Sequence, residues 1–249
     1  SDVYKRQILV WSYDSCINQS DLYGQRIDAN CNTLWSTPEE GGFPLCQEQG
    51  TQEYAKVTYY SDEYSVVAWE DRRDNAYVSD IYVQYIDMDG NLQLAVGGDP
   101  VCTHPAPQIK PRIKGSPTGV FIVWEDNKNG NIDIFGQHID FQGAMLSPDS
   151  GVLICGDQAE QKNPTIDYSS SLDEVMVCWD DRRNVDRDIY CASVSLDNYA
   201  VNEIPITEGK VEAQVNPYVK ATLTDSYLVA WEESALYAGG DVFTGDPVY

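Results

Sequence analysis

Residues 123–140 read VWEDNKNGNIDIFGQHID. An apolar run ends in Trp124 and two acids, a polar loop rich in Asn and Gly follows, and Asp133 opens a second apolar run. Two short runs of this kind separated by turn residues read as paired strands of a β-hairpin. Nearly the same sentence recurs along the chain. Trp11, Trp69, Trp124, Trp179 and Trp231 each close an apolar run, at spacings of 58, 55, 55 and 52 residues. An Asp followed by an aliphatic and an aromatic residue comes 9 to 11 residues after each Trp, at Asp21, Asp80, Asp133, Asp188 and Asp241. A third landmark, Gln-x-x-(Pro/Ala)-x-(Ile/Val), stands at Gln52, Gln108, Gln161 and Gln214. Three landmarks in fixed order at one period of about 55 residues define an internal repeat, the mark of a solenoid, propeller or array.

Each repeat reads as four short strands, A to D. Strand A is PRIKG-like with a Pro at its start, strand B is the β-branched run into Trp, strand C is DIYVQYID-like, and strand D is the weaker NLQLAV-like piece. Asp89-Gly90-Asn91 supplies a turn between C and D. No stretch has sustained helical periodicity with caps. The fold class expected is therefore all-β, a β-propeller of four-stranded antiparallel blades of about 55 residues each. Residues 8–37 supply B, C and D of one blade, three complete blades follow, and residues 217–243 supply A, B and C of another. Residues 8–249 read as a single propeller domain truncated at both ends, an excerpt of a ring of about six to eight blades. Residues 1–7, SDVYKRQ, resemble a translated adapter read-through and are set aside as non-native, any signal peptide having been lost upstream.

Composition bounds the function. The 16 Lys and Arg stand against 40 Asp and Glu, a formal charge of −24. A surface so negative repels phosphate backbones, which excludes nucleic acid as a partner. No stretch approaches the roughly 18 apolar residues of a membrane helix, so no membrane insertion is expected. The seven Cys show no CxxC pair. Cys46, Cys102 and Cys155 share one slot that Thr207 takes in the next repeat, which reads as small-residue packing. Cys178 and Cys191 lie on successive strands of one hairpin; a disulfide there, or between Cys16 and Cys31, is open.

The stretches WEDRR…SDIYVQYID and WDDRRNVDRDIY resemble the β-propeller repeats of bacterial secreted and cell-surface proteins, of the TolB-type, WD-repeat-like kind. The resemblance covers residues 8–249. It implies a non-enzymatic binding or scaffolding propeller in an extracellular, cell-surface or periplasmic setting, docking a protein or a glycan. The alternative is the propeller domain of an enzyme, either a glycoside hydrolase or the gate of a peptidase whose catalytic part lies elsewhere.

Propeller topology puts the B–C and D–A loops on one face of the ring. The acids after each Trp should converge there: Glu70-Asp71, Glu125-Asp126, Asp180-Asp181 and Glu232-Glu233, with Ser12-Tyr13 breaking the pattern. The candidate ligand-binding residues are Asp71, Arg73, Asp126, Lys128, Asp181, Arg183 and Glu233. The same acids also read as scaffolding, each capping loop N–H groups and pairing with the loop's own Arg. The strand C acids and the repeated Trp residues read as architecture, whereas Trp35, in an outer strand, reads as more exposed. His104 and His138 are the only histidines, and no nucleophile elbow, HExxH or phosphate loop occurs, so no catalytic residue is assigned. No cofactor or metal is expected; calcium is the one ion for which Asp126–Asp133 and Asp87–Asn91 offer oxygens near a Gly, although Lys128 stands where a ligand would be.

Overall fold

The structure, a computed structural model, describes residues 7–16, 19–36, 42–61, 63–148, 151–184, 186–210 and 212–234. The described residues form strands and turns with no helix. The first sheet holds β1 (Gln7–Cys16), β2 (Gln19–Ile27) and β3 (Phe43–Cys46) in that order. The second holds β4 (Gln52–Tyr59), β5 (Tyr64–Asp71), β6 (Asp80–Asp87) and β7 (Asp99–Cys102). The third holds β8 (Gln108–Ser116), β9 (Gly119–Asp126), β10 (Asp133–Ile139) and β11 (Val152–Cys155). The fourth holds β12 (Gln161–Ser169), β13 (Glu174–Asp181), β14 (Asp188–Ser195) and β15 (Val201–Pro205), and the last β16 (Ala213–Ala221) and β17 (Tyr227–Ser234). All pairings within these sheets are antiparallel between chain neighbours. The first strands β4, β8, β12 and β16 pack against one another in succession, which is the inner edge of a β-propeller.

Three complete blades and parts of two others match the strand count read from the sequence. Asp241 and the rest of the fifth repeat's strand C lie outside the described residues, as do residues 1–6. Two strand boundaries differ from expectation. Strand A begins at the Gln landmark, so Pro111, Pro164 and Pro217 sit inside it. A register shift falls there, between Ile109 and Arg112 in β8 for example, and a bulge removes the need for the N–H that Pro lacks. Strand D is the Asp99–Cys102 segment, whereas the NLQLAV piece contributes only the isolated bridge between Ile86 and Leu92. Its Leu, Gln and Leu pack a turn that Asp87 closes by accepting from the Asn91 N–H at 2.8 Å.

Strand B is apolar on both faces because each face meets a different blade. Val120, Ile122 and Trp124 join Val66, Ala68 and Val83 of the second blade, while Phe121 and Val123 join Val175, Val177 and Trp179 of the fourth. Trp69, Trp124 and Trp179 are fully buried. Gly98 lets β7 close over the Trp69 ring: its φ is +80°, and a Cβ there would lie 2.3 Å from Trp69 Cη2. Trp35 proves buried rather than exposed, its Nε1 donating to the Met88 carbonyl at 3.0 Å. Trp231, on the last described strand, is 40% exposed because no described strand covers that strand's outer edge. Cys178 and Cys191, directly paired across β13 and β14, form a disulfide with an S–S distance of 2.04 Å. Cys31 is a free, exposed thiol.

Candidate functional site

Successive residues of strand B point to opposite blades, so the two acids after each Trp have different surroundings. Asp71 shares a face with Trp69. Its Oδ2 accepts from Trp69 Nε1 at 2.8 Å and from Arg73 Nη2 at 2.6 Å, while its Oδ1 accepts the Arg73 N–H at 2.9 Å. The Arg73 guanidinium lies 3.9 Å from the centre of the Tyr82 ring. The fourth blade repeats the arrangement with Trp179, Asp181, Arg183 and Tyr190. The third uses Lys128 instead, its ammonium 3.6 Å from Asp126 and 3.4 Å from the Phe135 ring centre. Asp71, Asp126 and Asp181 are therefore buried and engaged by groups of their own blade. Six of the seven candidate residues meet pairwise, blade by blade: Asp71 with Arg73, Asp126 with Lys128, and Asp181 with Arg183. Glu233, on β17, is exposed opposite Gln214.

The free thiols belong to the same units. Arg183 Nη2 lies 3.1 Å from Cys155 Sγ, and Arg73 Nη2 lies 3.5 Å from Cys46 Sγ. Burial nonetheless pushes these thiols up to about 12 and about 11, which keeps them protonated and unreactive. In the loops weighed for calcium, Asp133 Oδ2 accepts from Asn129 Nδ2 at 2.6 Å while its Oδ1 is buried without a hydrogen-bond partner, and the Asp87 carboxylate accepts from the N–H and Nδ2 of Asn91. His138 is buried between Thr118 and Tyr199, with burial lowering its pKa to about 4.

The first acids of the second and third blades turn toward the next blade. Glu70 Oε1 accepts the Lys110 N–H at 2.7 Å, and Glu125 Oε1 accepts the Asn163 N–H at 2.8 Å. Both donors occupy the bulge of the next inner strand with a left-handed φ, 54° at Lys110 and 55° at Asn163. Tyr54 and Asn216 take the same place and conformation in β4 and β16, with φ of 54° and 53°. Lys110 Nζ adds an ion pair with Glu125 at 3.1 Å, and Asp180 accepts from Asn163 Nδ2 at 2.8 Å with Arg187 at 3.3 Å. Burial pushes Glu70 up to about 7, against the Lys110 N–H and the Arg72 charge that pull it down. Burial likewise raises Asp180 to about 6. Glu70 and Glu125, 3% and 1% exposed, are inter-blade latches, whereas Asp180, 1% exposed, is held by Asn163 and Arg187 of its own blade.

The first blade lacks the latch. Ser12 stands where the other blades carry Glu70, Glu125 and Asp180, and it is too short to reach the next inner strand. A cleft of about 480 Å³ opens at that place, lined by Val10, Trp11, Ser12, Asp14, Glu53, Tyr54 and Ala55. Ser12 and Asp14 are exposed on β1, and the Tyr54 side chain is 53% exposed on the bulge of β4. A cavity of this size with an aromatic wall and a few polar groups is the usual form of a small-ligand site. Ser12-Tyr13 breaks the repeated acid pair in the sequence, and none of the candidate ligand-binding residues lies there. The missed signal is that a departure from a repeated latch leaves space.

No helix among the described residues is long and apolar enough to cross a membrane. No protein-family model matches the chain, and no curated protein matches it. Among solved structures it is similar to the endo-arabinase of Bacteroides thetaiotaomicron at 9% identity and a TM-score of 0.48, over 90% of this chain and 84% of that one. A thermostable family-43 glycoside hydrolase gives 10% identity and a TM-score of 0.47, over 91% and 83%. The exo-β-1,3-galactanase of Phanerochaete chrysosporium gives 13% identity and a TM-score of 0.44, over 87% and 53%. At these identities no residue of their sites can be placed on this chain.

Proposed function

We propose that this propeller is a non-enzymatic glycan-binding module whose ligand enters the cleft between β1 and β4. The observation that carries the reading is the missing latch at Ser12. The junctions of the second blade with the third and of the third with the fourth are closed by the buried carboxylates Glu70 and Glu125, and this one opens into about 480 Å³ beside the half-exposed Tyr54 side chain. Tyr54 supplies a flat amphipathic wall for a sugar ring, and Ser12, Asp14 and Glu53 supply acceptors for its hydroxyls. The buried units of an Asp, a basic side chain and an aromatic ring behind Trp69, Trp124 and Trp179 give the rigid frame that a preformed site needs.

The reading is tested by a glycan array followed by calorimetric titration of the hits against Tyr54→Asn. Asn occupies the same bulge at Asn163 and Asn216, so this change keeps the fold and removes only the aromatic wall. Binding that the variant leaves untouched would move the site elsewhere. Hydrolysis is a second reading, supported by Asp14 and Glu53 both lining the cleft, since glycoside cleavage needs two carboxyl groups. Release of reducing ends from any bound glycan, abolished by Glu53→Gln, would establish it.

A further inference from the structure

We infer that the inner edge of the propeller binds a small oxyanion of two negative charges between Lys56 and Arg112, of the sulfate or phosphate kind, free or as an ester group of a larger ligand. The inference does not rest on the cleft described above. The inner strands β4, β8, β12 and β16 carry six Lys and Arg against two Asp and Glu, whereas the whole chain carries 16 against 40. Charge along this edge is thus opposite in sign to that of the molecule. A channel lined by one sign of charge draws in the other.

One level of that edge holds only donors. Lys56, Arg112, Thr165 and Tyr218 each stand four residues after the Gln landmark of their inner strand. They pair with Ala68, Val123, Cys178 and Ala230, the same step of strand B in each blade, so they share one face of successive blades. An ammonium, a guanidinium and two hydroxyls follow one another there without a carboxylate. The flanking levels are neutralised: Lys110 pairs with Glu125 at 3.1 Å, and Asp167 takes Lys114 at 2.5 Å and Lys220 at 2.9 Å. Lys56 and Arg112 form no ion pair among the described residues, and Arg112 Nη1 donates to the Pro111 carbonyl at 3.0 Å. Both are half-buried, and burial lowers the pKa of each. The Arg112 charge beside Lys56 lowers it further, while the fields of Glu70 on both bases and of Glu125 on Arg112 offset part of this. Those two carboxylates spend their Oε1 atoms on the N–H groups of Lys110 and Asn163. Two like charges half-buried side by side destabilise a fold until a counter-charge joins them. An oxyanion offers acceptors alone, which suits a level made of donors.

The test is a calorimetric titration of the full chain with sodium sulfate, sodium phosphate, and a sulfated disaccharide beside its unsulfated parent, all at one ionic strength set with sodium chloride. Saturable binding of the divalent ions over chloride is expected. Each charged contact is worth about fivefold in affinity, so Lys56→Met or Arg112→Gln should weaken binding by at least about that factor, and the double change should abolish it. Tighter binding of the sulfated sugar than of its parent and of the inorganic ions assigns the site to an ester group. Binding of the inorganic ions alone assigns it to the free ion. Lys56→Glu sets a carboxylate beside Arg112, so it should abolish binding and raise the thermal unfolding midpoint, a gain that a misfolded variant cannot show. Affinity unchanged in the double variant overturns the inference, as does the absence of saturable binding by sulfate, phosphate and the sulfated sugar. Either result leaves the glycan reading of the cleft standing, since that reading is decided by Tyr54→Asn.

Discussion

Trp69 Nε1 donates to Asp71 Oδ2 at 2.8 Å, two positions along one strand, and the bond recurs at 2.9 Å from Trp124 to Asp126 and from Trp179 to Asp181. A buried indole N–H needs an acceptor, and a buried guanidinium needs a counter-charge; one carboxylate serves both. Asp71→Ala should therefore cost about 3–5 kcal/mol, because it strands the indole and Arg73 together. Asp71→Asn keeps one acceptor and should cost less. Urea unfolding midpoints measure both; an Ala variant within about 0.5 kcal/mol of the parent would refute the account.

The buried acids Glu70 and Asp180 should make stability depend on pH. Burial raises Glu70 from 4.5 to about 7 and Asp180 from 3.8 to about 6. A carboxyl with a raised folded pKa holds a proton that the unfolded chain has already released. Stability from these groups is thus present below their unfolded values and falls as pH rises through about 6 and 7. The fall should amount to a few kcal/mol in order of magnitude. Glu70→Gln keeps an acceptor for the Lys110 N–H without the charge, so it should flatten the slope between pH 4.5 and 7. Denaturant unfolding repeated across that range decides the matter.

Restoring the latch in the first blade should close the cleft. Ser12→Glu places in β1 the side chain that Glu70 and Glu125 carry at the same position. Glycan binding should fall at least tenfold while stability holds or rises. Tyr54→Asn should weaken binding by roughly tenfold, the worth of about 1–2 kcal/mol of aromatic burial. Calorimetry on the two variants checks both outcomes.

The disulfide between Cys178 and Cys191 closes a sequence separation of 13 residues. A loop of about that length contributes roughly 3 kcal/mol by restricting the unfolded chain. Scanning calorimetry with and without reductant should show the loss, and the double change Cys178→Ala and Cys191→Ala should show no further effect of reductant.

Gly98→Ala should destabilise by about 2 kcal/mol or more, since the new methyl meets the Trp69 ring and the Val83 carbonyl in a left-handed backbone. Thermal unfolding measures it.

Much of this was legible before any coordinates. Period, strand count and the burial of Trp69, Trp124 and Trp179 follow from the repeat, because a motif copied with its spacing must solve the same packing problem each time. The split between the two acids after Trp was not legible. Alternation puts Asp71 and Glu70 on opposite faces, but which face meets which blade depends on how the sheets stack. Strand D was misplaced because Asn91–Val96 is more apolar than Asp99–Cys102, yet only the latter completes the sheet. Trp35 was misjudged because its cover, Met88 and Gly90, comes from the following repeat.

The sequence alone determined the architecture, since hydrophobic period and turn residues are local and repeat along the chain. Tertiary structure alone decided where a ligand fits. The cleft lies where β1, the uncovered edge of the three-stranded first sheet, faces β4 of the next sheet with the short Ser12 in place of the other sheets' acids, and a gap is a property of packed surfaces that no single strand encodes.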